Sequence, residues 1–356
     1  MTEPYQKLME LPVREKVAHL NKGEKIFHII FSQQFSRECI ESLSRLATMM
    51  RKIAVSREGM SFLKSLLSHK RSMLYFVQPS TRTFLSFMAA CQILGITCNE
   101  VRDPQTSSEV KGESEYDSVH TFSSYFDLII MRHPKEGLAE RLAYMMNDIG
   151  ITLPVINAGS GKDQHPTQAL LDIYTLIRAF EHTPQGLDNR TIAFIGDLKR
   201  GRTVRSLTYL LCLYNDIKLY FVSPSELQLG DDLKDHLRKA KKVFEEVDDL
   251  NKILPLVDAV YMTRIQDEYD VAGESKKIDY YKFSLTQDSV KLMKPTAVVM
   301  HPLPRRREID VAIDNDPRAH YWKQVRNGMW IRSALIATIF GIEGKIMEYF
   351  NDNFTY

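Results

Sequence analysis

Short apolar runs recur along this chain at intervals that a helix would fill. They are Met73–Val77, Thr97–Val101 (the weakest), Phe126–Met131, Pro154–Asn157, Thr191–Ile195, Lys218–Val222, Ala259–Met262 and Ala297–Met300. Such runs, flanked by polar or Gly/Pro residues and mostly separated by amphipathic segments, are the pattern of βαβ units whose strands are buried on both faces of a parallel sheet. The eight runs divide four and four around Ala169–Phe180, a helical stretch, and the loop Glu181–Gly186. The expectation is an α/β protein with two doubly wound domains, each a mainly four-stranded parallel sheet flanked by helices. Their bounds are 1–165 and 166–330, joined near residue 165. A last helix from about Ile331 to Phe350, within 331–356, is expected to pack back on the first domain. Residues 1–70 read as helical, most clearly over Glu38–Lys52 and Ser61–Leu67. At roughly 150 residues per domain, 356 residues agree with two.

Composition removes several classes of function. Lys and Arg number 47 against 45 Asp and Glu, a net charge of +2 that does not suit a bulk nucleic-acid partner. Hydrophobic residues make up 44% and aromatic residues 10%, as in folded proteins. Cys39, Cys91, Cys98 and Cys212 include no C-x-x-C pair, so neither a disulfide framework nor a structural zinc site is expected. Met1–Tyr5 has no apolar signal core. The longest apolar stretch, Ala334–Ile342, is interrupted by Thr338 and Gly341 and is too short to span a bilayer. The reading is a soluble cytoplasmic enzyme.

In open parallel sheets, ligands bind beyond the carboxyl ends of the strands. Six of the eight runs are followed there by polar motifs. Gln78-Pro79-Ser80-Thr81-Arg82-Thr83 follows the first, and Arg132-His133-Pro134 follows Met131. Ala158-Gly159-Ser160-Gly161 and His165-Pro166-Thr167-Gln168 follow Asn157. Gly196-Asp197-Leu198-Lys199-Arg200-Gly201-Arg202-Thr203 follows Ile195, Thr263-Arg264-Ile265-Gln266 follows Met262, and His301-Pro302-Leu303-Pro304 follows Met300.

Ser80–Thr83 lies at a strand-to-helix turn, where free N–H groups, the helix dipole and the Arg82 fork suit a phosphate. The same residues equally suit an ordinary helix N-cap. Arg132 can serve a site or pair with Glu136, and His133 reads as structural. His165 can cap a loop or donate to a developing oxyanion. Gly201-Arg202-Thr203 is an ordinary turn as readily as a ligand. There is no Walker A loop and no dinucleotide glycine fingerprint.

Taken together these segments resemble the aspartate carbamoyltransferase family from about His28 to Gly341. The likeness rests on Pro79–Thr83, Met131–Gly137, His165–Gln168, Gly196–Lys199 with Gly201–Thr203, Met262–Arg264 with Gln266, and Met300–Pro304, all in the family's order. The sister ornithine enzymes are expected to carry His-Cys-Leu-Pro at the last motif, so His301-Pro302-Leu303-Pro304 favours aspartate. The resemblance implies that the amino group of aspartate attacks carbamoyl phosphate, with no cofactor, no metal and no covalent intermediate. It implies Ser80, Thr81, Arg82, Thr83 and Arg132 on the phosphate, and Thr83, Arg132 and His165 on the carbonyl oxygen. Gln168, Pro302 and Leu303 would sit at the carbamoyl amine, and Arg202, Arg264, Gln266 and Leu303 at aspartate. The segment Gln105–Ser114, by itself a plausible solvated loop, is similar to the family's mobile loop. The resemblance makes Ser107 and Lys111 visitors to a neighbouring subunit's site, with Lys111 facing both substrates. It implies a homotrimer, alone or within a larger assembly, with no nucleic acid and no membrane as partner.

The chain departs from the family in places. Gln78 and Tyr269 stand where an acid and an Arg usually form an interdomain bridge. Phe84 and Met88, at i and i+4, replace an Arg and a Glu. Asp267 replaces a base, Arg305-Arg306-Arg307 is unusually basic, and the first ~25 residues extend the family's core. Two other readings remain: transfer to a different amino acceptor, and a non-catalytic relative acting as a binding or assembly partner.

Overall fold

The computed structural model describes residues 5–103, 112–161, 164–264 and 279–354. The chain packs as two compact units, Met1–Leu171 with Asn327–Tyr356, and Asp172–Arg326. The sequence places the join near residue 165. The structure divides the chain between Leu171 and Asp172, inside the helix Pro166–Phe180.

In the first unit β1 (Arg71–Tyr75), β2 (Thr97–Val101), β3 (Leu128–Met131) and β4 (Val155–Asn157) form one parallel sheet in the order β2-β1-β3-β4. Met73, Tyr75, Ile129 and Met131 bury one face against Leu138, Leu142 and Met146 of the helix Leu138–Asp148. The free edge of β4 is covered by the N-terminal segment, since Ile29 N–H donates to the Val155 carbonyl at 2.9 Å and Asn157 N–H donates to Ile29 at 2.8 Å. Closing an edge in this way removes a template for unwanted pairing.

The expected last helix is two helices, Tyr321–Ile339 and Glu343–Phe354. They part at Gly341, which takes φ +67°, a conformation that suits glycine at the end of a helix. The second of them lies on the helix Arg37–Ile53 and on Phe62, whose ring stacks on Tyr349 at 3.9 Å.

Among the described residues the second unit holds five parallel strands where the sequence suggests four. They are β5 (Thr191–Ile195), β6 (Lys218–Val222), β7 (Val243–Val247), β8 (Ala259–Met262) and β9 (Val298–Met300), in the order β7-β6-β5-β8-β9. The extra strand, β7, reads Val-Phe-Glu-Glu-Val and sits at an edge. Two of its three exposed positions, Glu245 and Glu246, carry charge, with Glu246 2.7 Å from Lys234, so it has no apolar run to betray it. Among the described residues no helix is long and apolar enough to cross a membrane.

Both sheets reverse direction beside their first strand. The chain runs outward from β1 to β2 and then returns to β3 on the other side; likewise it runs from β5 through β6 to β7 and returns to β8. Each reversal leaves a crevice beyond the carboxyl ends of two strands, where open α/β sheets bind ligands. The crevices lie beyond β1 and β3, and beyond β5 and β8.

His28 secures the covered edge of β4. Its Nδ1 accepts from Val155 N–H and its Nε2 lies 3.1 Å from Asn147 Oδ1, with the ring fully buried. Burial, opposed by the Asn147 bond and helped by Lys22, pushes its pKa down to about 4. Below the ordinary value of about 6.5 the unfolded chain takes up a proton that the folded one refuses, so stability is lost as pH is lowered. Unfolding free energy should therefore drop by roughly 3 kcal/mol between pH 6.5 and 4 through this residue. His28→Gln should flatten that part of the pH profile in urea titrations, and an unchanged slope would show the ring to be protonated already.

Candidate active site

The crevice of the first unit is built by backbone pairing that continues past the strands. Arg132 N–H donates to the Tyr75 carbonyl at 2.8 Å, and Gln78 N–H donates back to Arg132 at 3.1 Å. Arg132 thus stands beside the turn into the helix Thr81–Ile93. Ser80 occupies the N-cap position of that helix, but its side chain makes no capping bond, unlike Ser36, Ser56 and Ser114 at their helices. That separates the two readings of Ser80: its hydroxyl does not serve as the helix cap. Thr81 and Arg82 are exposed on the first turn and Thr83 is buried. Gln78 Oε1 is buried with no hydrogen-bond partner among the described residues.

The loop after β4 is held by a side chain that the sequence does not single out. Asn157 Oδ1 accepts from the N–H groups of Gly159 and Ser160, both at 2.9 Å. Ser160 Oγ accepts from His133 N–H, and the His133 carbonyl accepts from Gly161 N–H. Arg132 Nη1 donates to the Ala158 carbonyl at 3.2 Å. Gly159 takes φ +95°, and a Cβ there would lie 2.6 Å from His165 Cδ2, 2.9 Å from His165 Nε2 and 2.9 Å from Arg132 Nη1. Arg132 Nη1 and His165 Nε2 thereby both lie close to Gly159, an arrangement suited to a carbonyl oxygen that gains charge.

His165 opens the helix Pro166–Phe180, its carbonyl accepting from Gln168 and Ala169 N–H. Gln168, one turn on, is 8% exposed. His133 takes the structural role expected of it. Its ring stacks on Tyr75 at 5.9 Å and its Nδ1 accepts from Lys135 N–H. Burial and Lys135 hold its pKa below the usual value, against the pull of Glu115.

In the second unit, the turn after β5 is anchored by Asp197, fully buried, whose Oδ1 accepts from Arg200 N–H at 3.0 Å. Gly196, at φ +113°, passes so close to β8 that a Cβ would meet the Thr263 carbonyl at 2.2 Å. The turn delivers Arg202, half-buried, to the first position of the helix Arg202–Leu211. Across the same crevice Arg264, also half-buried, follows β8. After β9, Pro302 and Leu303 are half-buried, and Leu303 N–H donates to His301 Nδ1 at 2.7 Å. Arg305 is held by both oxygens of Asp314 and lies over the Tyr321 ring, so the first Arg of the basic triplet is structural; Arg306 and Arg307 are exposed.

The structure therefore groups Ser80, Thr81, Arg82, Thr83, Arg132, His165 and Gln168 within the first unit, and Arg202, Arg264, Pro302 and Leu303 within the second. Ser107, Lys111, Gln266, Asp267 and Tyr269 lie outside the described residues. Asn157 and Gly159 went unassigned in the sequence, although a polar residue closing an apolar run and a glycine just after it were signals of a pinned loop.

Gly159→Ala should lower turnover by about a hundredfold through displacement of Arg132 or His165, while the far-UV circular dichroism stays as in the parent. Undiminished turnover would show that neither side chain needs so close an approach.

Residues 28–178 match the aspartate/ornithine carbamoyltransferase carbamoyl-P binding domain, and residues 188–339 match the Asp/Orn binding domain of the same family. Aspartate carbamoyltransferase 1 (chloroplastic) of Pisum sativum is 42% identical over 319 residues, covering 87% of this chain and 78% of its own length. The aspartate carbamoyltransferase catalytic subunit of Cellvibrio japonicus is 37% identical over 90% of this chain and 94% of its own length. Among solved structures, Trypanosoma cruzi aspartate transcarbamoylase in complex with N-(phosphonacetyl)-L-aspartic acid superposes with a TM-score of 0.79. It is 34% identical, covering 89% of this chain and 97% of that one. The catalytic subunit from M. jannaschii gives a TM-score of 0.78 at 36% identity, covering 89% of this chain and 98% of that one.

Proposed function

The chain belongs to the aspartate/ornithine carbamoyltransferase family, and from that premise we infer the reaction it performs: transfer of the carbamoyl group of carbamoyl phosphate to the α-amino group of L-aspartate. The enzyme is an aspartate carbamoyltransferase, as its relatives of that name over most of its length support. The amino nitrogen forms a bond to the carbonyl carbon and the carbonyl oxygen becomes an oxyanion. The bond to the bridging oxygen then breaks, phosphate leaves with the electron pair, and the nitrogen gives up a proton. The product is N-carbamoyl-L-aspartate, which serves pyrimidine biosynthesis.

The observation that carries the chemistry is the approach of Arg132 Nη1 and His165 Nε2 to one point beside Gly159. Two preorganised donors aimed at a developing oxyanion are each worth about 2.7–4 kcal/mol of barrier. Ser80, Thr81, Arg82 and Thr83 receive the phosphate at the helix start, where free N–H groups favour an anion. Arg132 neutralises it further. Gln168 with the backbone of Pro302 and Leu303 takes the carbamoyl amine. Arg202, Arg264 and Gln266 take the two carboxylates of aspartate, a task for which the rigid guanidinium fork is suited.

The same proposal makes the working form a homotrimer in which Ser107 and Lys111 reach a neighbouring subunit's site. It places the enzyme in the cytoplasm, a location compatible with four cysteines that are all free thiols.

Purified protein should form N-carbamoyl-L-aspartate from carbamoyl phosphate and L-aspartate without added metal; product only with another amine would overturn the choice of acceptor, and none with any amine would favour a non-catalytic role. Lys111→Ala and Arg82→Ala chains, each inactive alone, should recover part of the activity when dissociated and reassembled together. Mixed oligomers that stay inert would refute the sharing of sites.

A further inference from the structure

The loop after β9 contains a residue whose position the stated roles leave unexplained. Leu303 takes φ +56°, a left-handed conformation that a branched side chain rarely adopts. Such a residue keeps that conformation only where its surroundings over-determine it. What surrounds it here is His301, two residues earlier, whose Nδ1 accepts the Leu303 N–H at 2.7 Å. A ring nitrogen that accepts carries no proton, so the imidazole proton sits on Nε2. Nε2 lies 2.8 Å from Glu308 Oε1, and the His301 side chain is fully buried. Glu308 is itself placed by Arg306 N–H, which donates to the same oxygen at 3.0 Å. Burial pushes the Glu308 carboxyl up, but the His301 and Arg306 hydrogen bonds outweigh it and hold the pKa below the usual range. An ionised Glu308 is therefore the fixed acceptor that selects one tautomer of His301.

A second anchor holds the backbone of the same residue. His301 N–H donates to Gln324 Oε1 at 2.9 Å, and Gln324 Nε2 donates to Asp172 Oδ1 at 2.6 Å. The other Asp172 oxygen accepts from Tyr261 OH on β8 at 2.7 Å. Asp172, Gln324 and His301 are all buried, so these bonds do not compete with bulk water.

We propose that His301, oriented by Glu308 and Gln324, is the positioning residue that sets the Leu303 backbone at the carbamoyl amine. This rests on the reaction assigned above, in which that backbone binds substrate. The imidazole touches no reacting atom; it acts by accepting one N–H and thereby aiming the adjacent carbonyl.

Two substitutions separate positioning from packing. His301→Asn keeps an oxygen where Nδ1 stands but leaves a larger void. His301→Gln fills the space better but puts its polar end at Nε2 and removes the acceptor for Leu303. If the acceptor matters, kcat/KM for carbamoyl phosphate should stay within about threefold of the parent in His301→Asn and fall about thirtyfold in His301→Gln, both at similar melting temperatures. The reverse order, or equal losses, would overturn the proposal. Should neither variant fold, side-chain nitrogen shifts of His301 in the unmodified enzyme decide the matter. A neutral ring with its proton on Nε2 supports the proposal and a proton on Nδ1 refutes it. An unmodified enzyme that is inert with aspartate would remove the assigned reaction, while the nitrogen spectrum still judges the placement of His301.

Discussion

A parallel strand cannot be joined to its neighbour by a tight turn; the chain must travel back along the outside of the sheet before it can enter again. Among the described residues that requirement places the strand ends of like polarity on one edge of each sheet. The reversals beside β1 and β5 then open a gap in each edge. Everything proposed about function follows from what the loops carry across those gaps. Ser80–Thr83 and Arg132 stand at one, and Arg202 and Arg264 at the other. Neither Ser80 nor Gly201 caps its helix with a side chain, so the helix starts keep their N–H groups for something else.

Loops that leave a buried sheet must satisfy their own backbone groups or surrender them to water. Here the solution is local and made by side chains at the mouth of the loop. Asn157 pins Gly159 and Ser160; Asp197 pins Arg200; His301 pins Leu303. In each case a residue at or just beyond a strand end folds back on N–H groups two or three positions ahead. Short loops held this way carry their donors and acceptors in set directions before substrate arrives. Preorganised donors of that kind lower a barrier without the cost of rearrangement during the reaction. Gly159 and Gly196 complete the arrangement by contributing no side chain where Arg132, His165 and Thr263 approach.

The same physics explains what was legible beforehand. Strands buried on both faces advertise themselves as apolar runs, and seven of the eight runs became such strands, with β1 displaced to Arg71–Tyr75; the weakest run, Thr97–Val101, became the largely exposed edge strand β2. Strand β7 did not advertise itself, because an edge strand with solvent beside it can carry Glu245 and Glu246. The motif residues were legible because each follows a run directly. The split of the last helix at Gly341 was obscured by the apolar residues on either side, which continue one stripe across the break. The work done by His301, Glu308 and Gln324 was not legible at all. It depends on which ring nitrogen faces which neighbour, and no spacing in the chain states that.

The departures from family pattern can be weighed on the same terms. Phe84 is buried at 3% exposure, meets Phe76 edge-on with ring centroids 5.4 Å apart, and carries the Arg102 guanidinium 4.5 Å above its ring. A buried ion pair loses much of its attraction to desolvation, and well-packed apolar replacements are often neutral or stabilising. At Phe84 the contacts with the Phe76 ring and the Arg102 guanidinium hold the start of the helix Thr81–Ile93 without a carboxylate partner. The helix begins at Thr81, and the cations beside its first turn are Arg82 and the Arg102 guanidinium over Phe84. An Arg at position 84 would place a second cation two residues from Arg82 and would need its Glu four residues on to offset it. Phe84 removes both demands at once, and the cation it accepts in their place is the Arg102 guanidinium stacked over its ring.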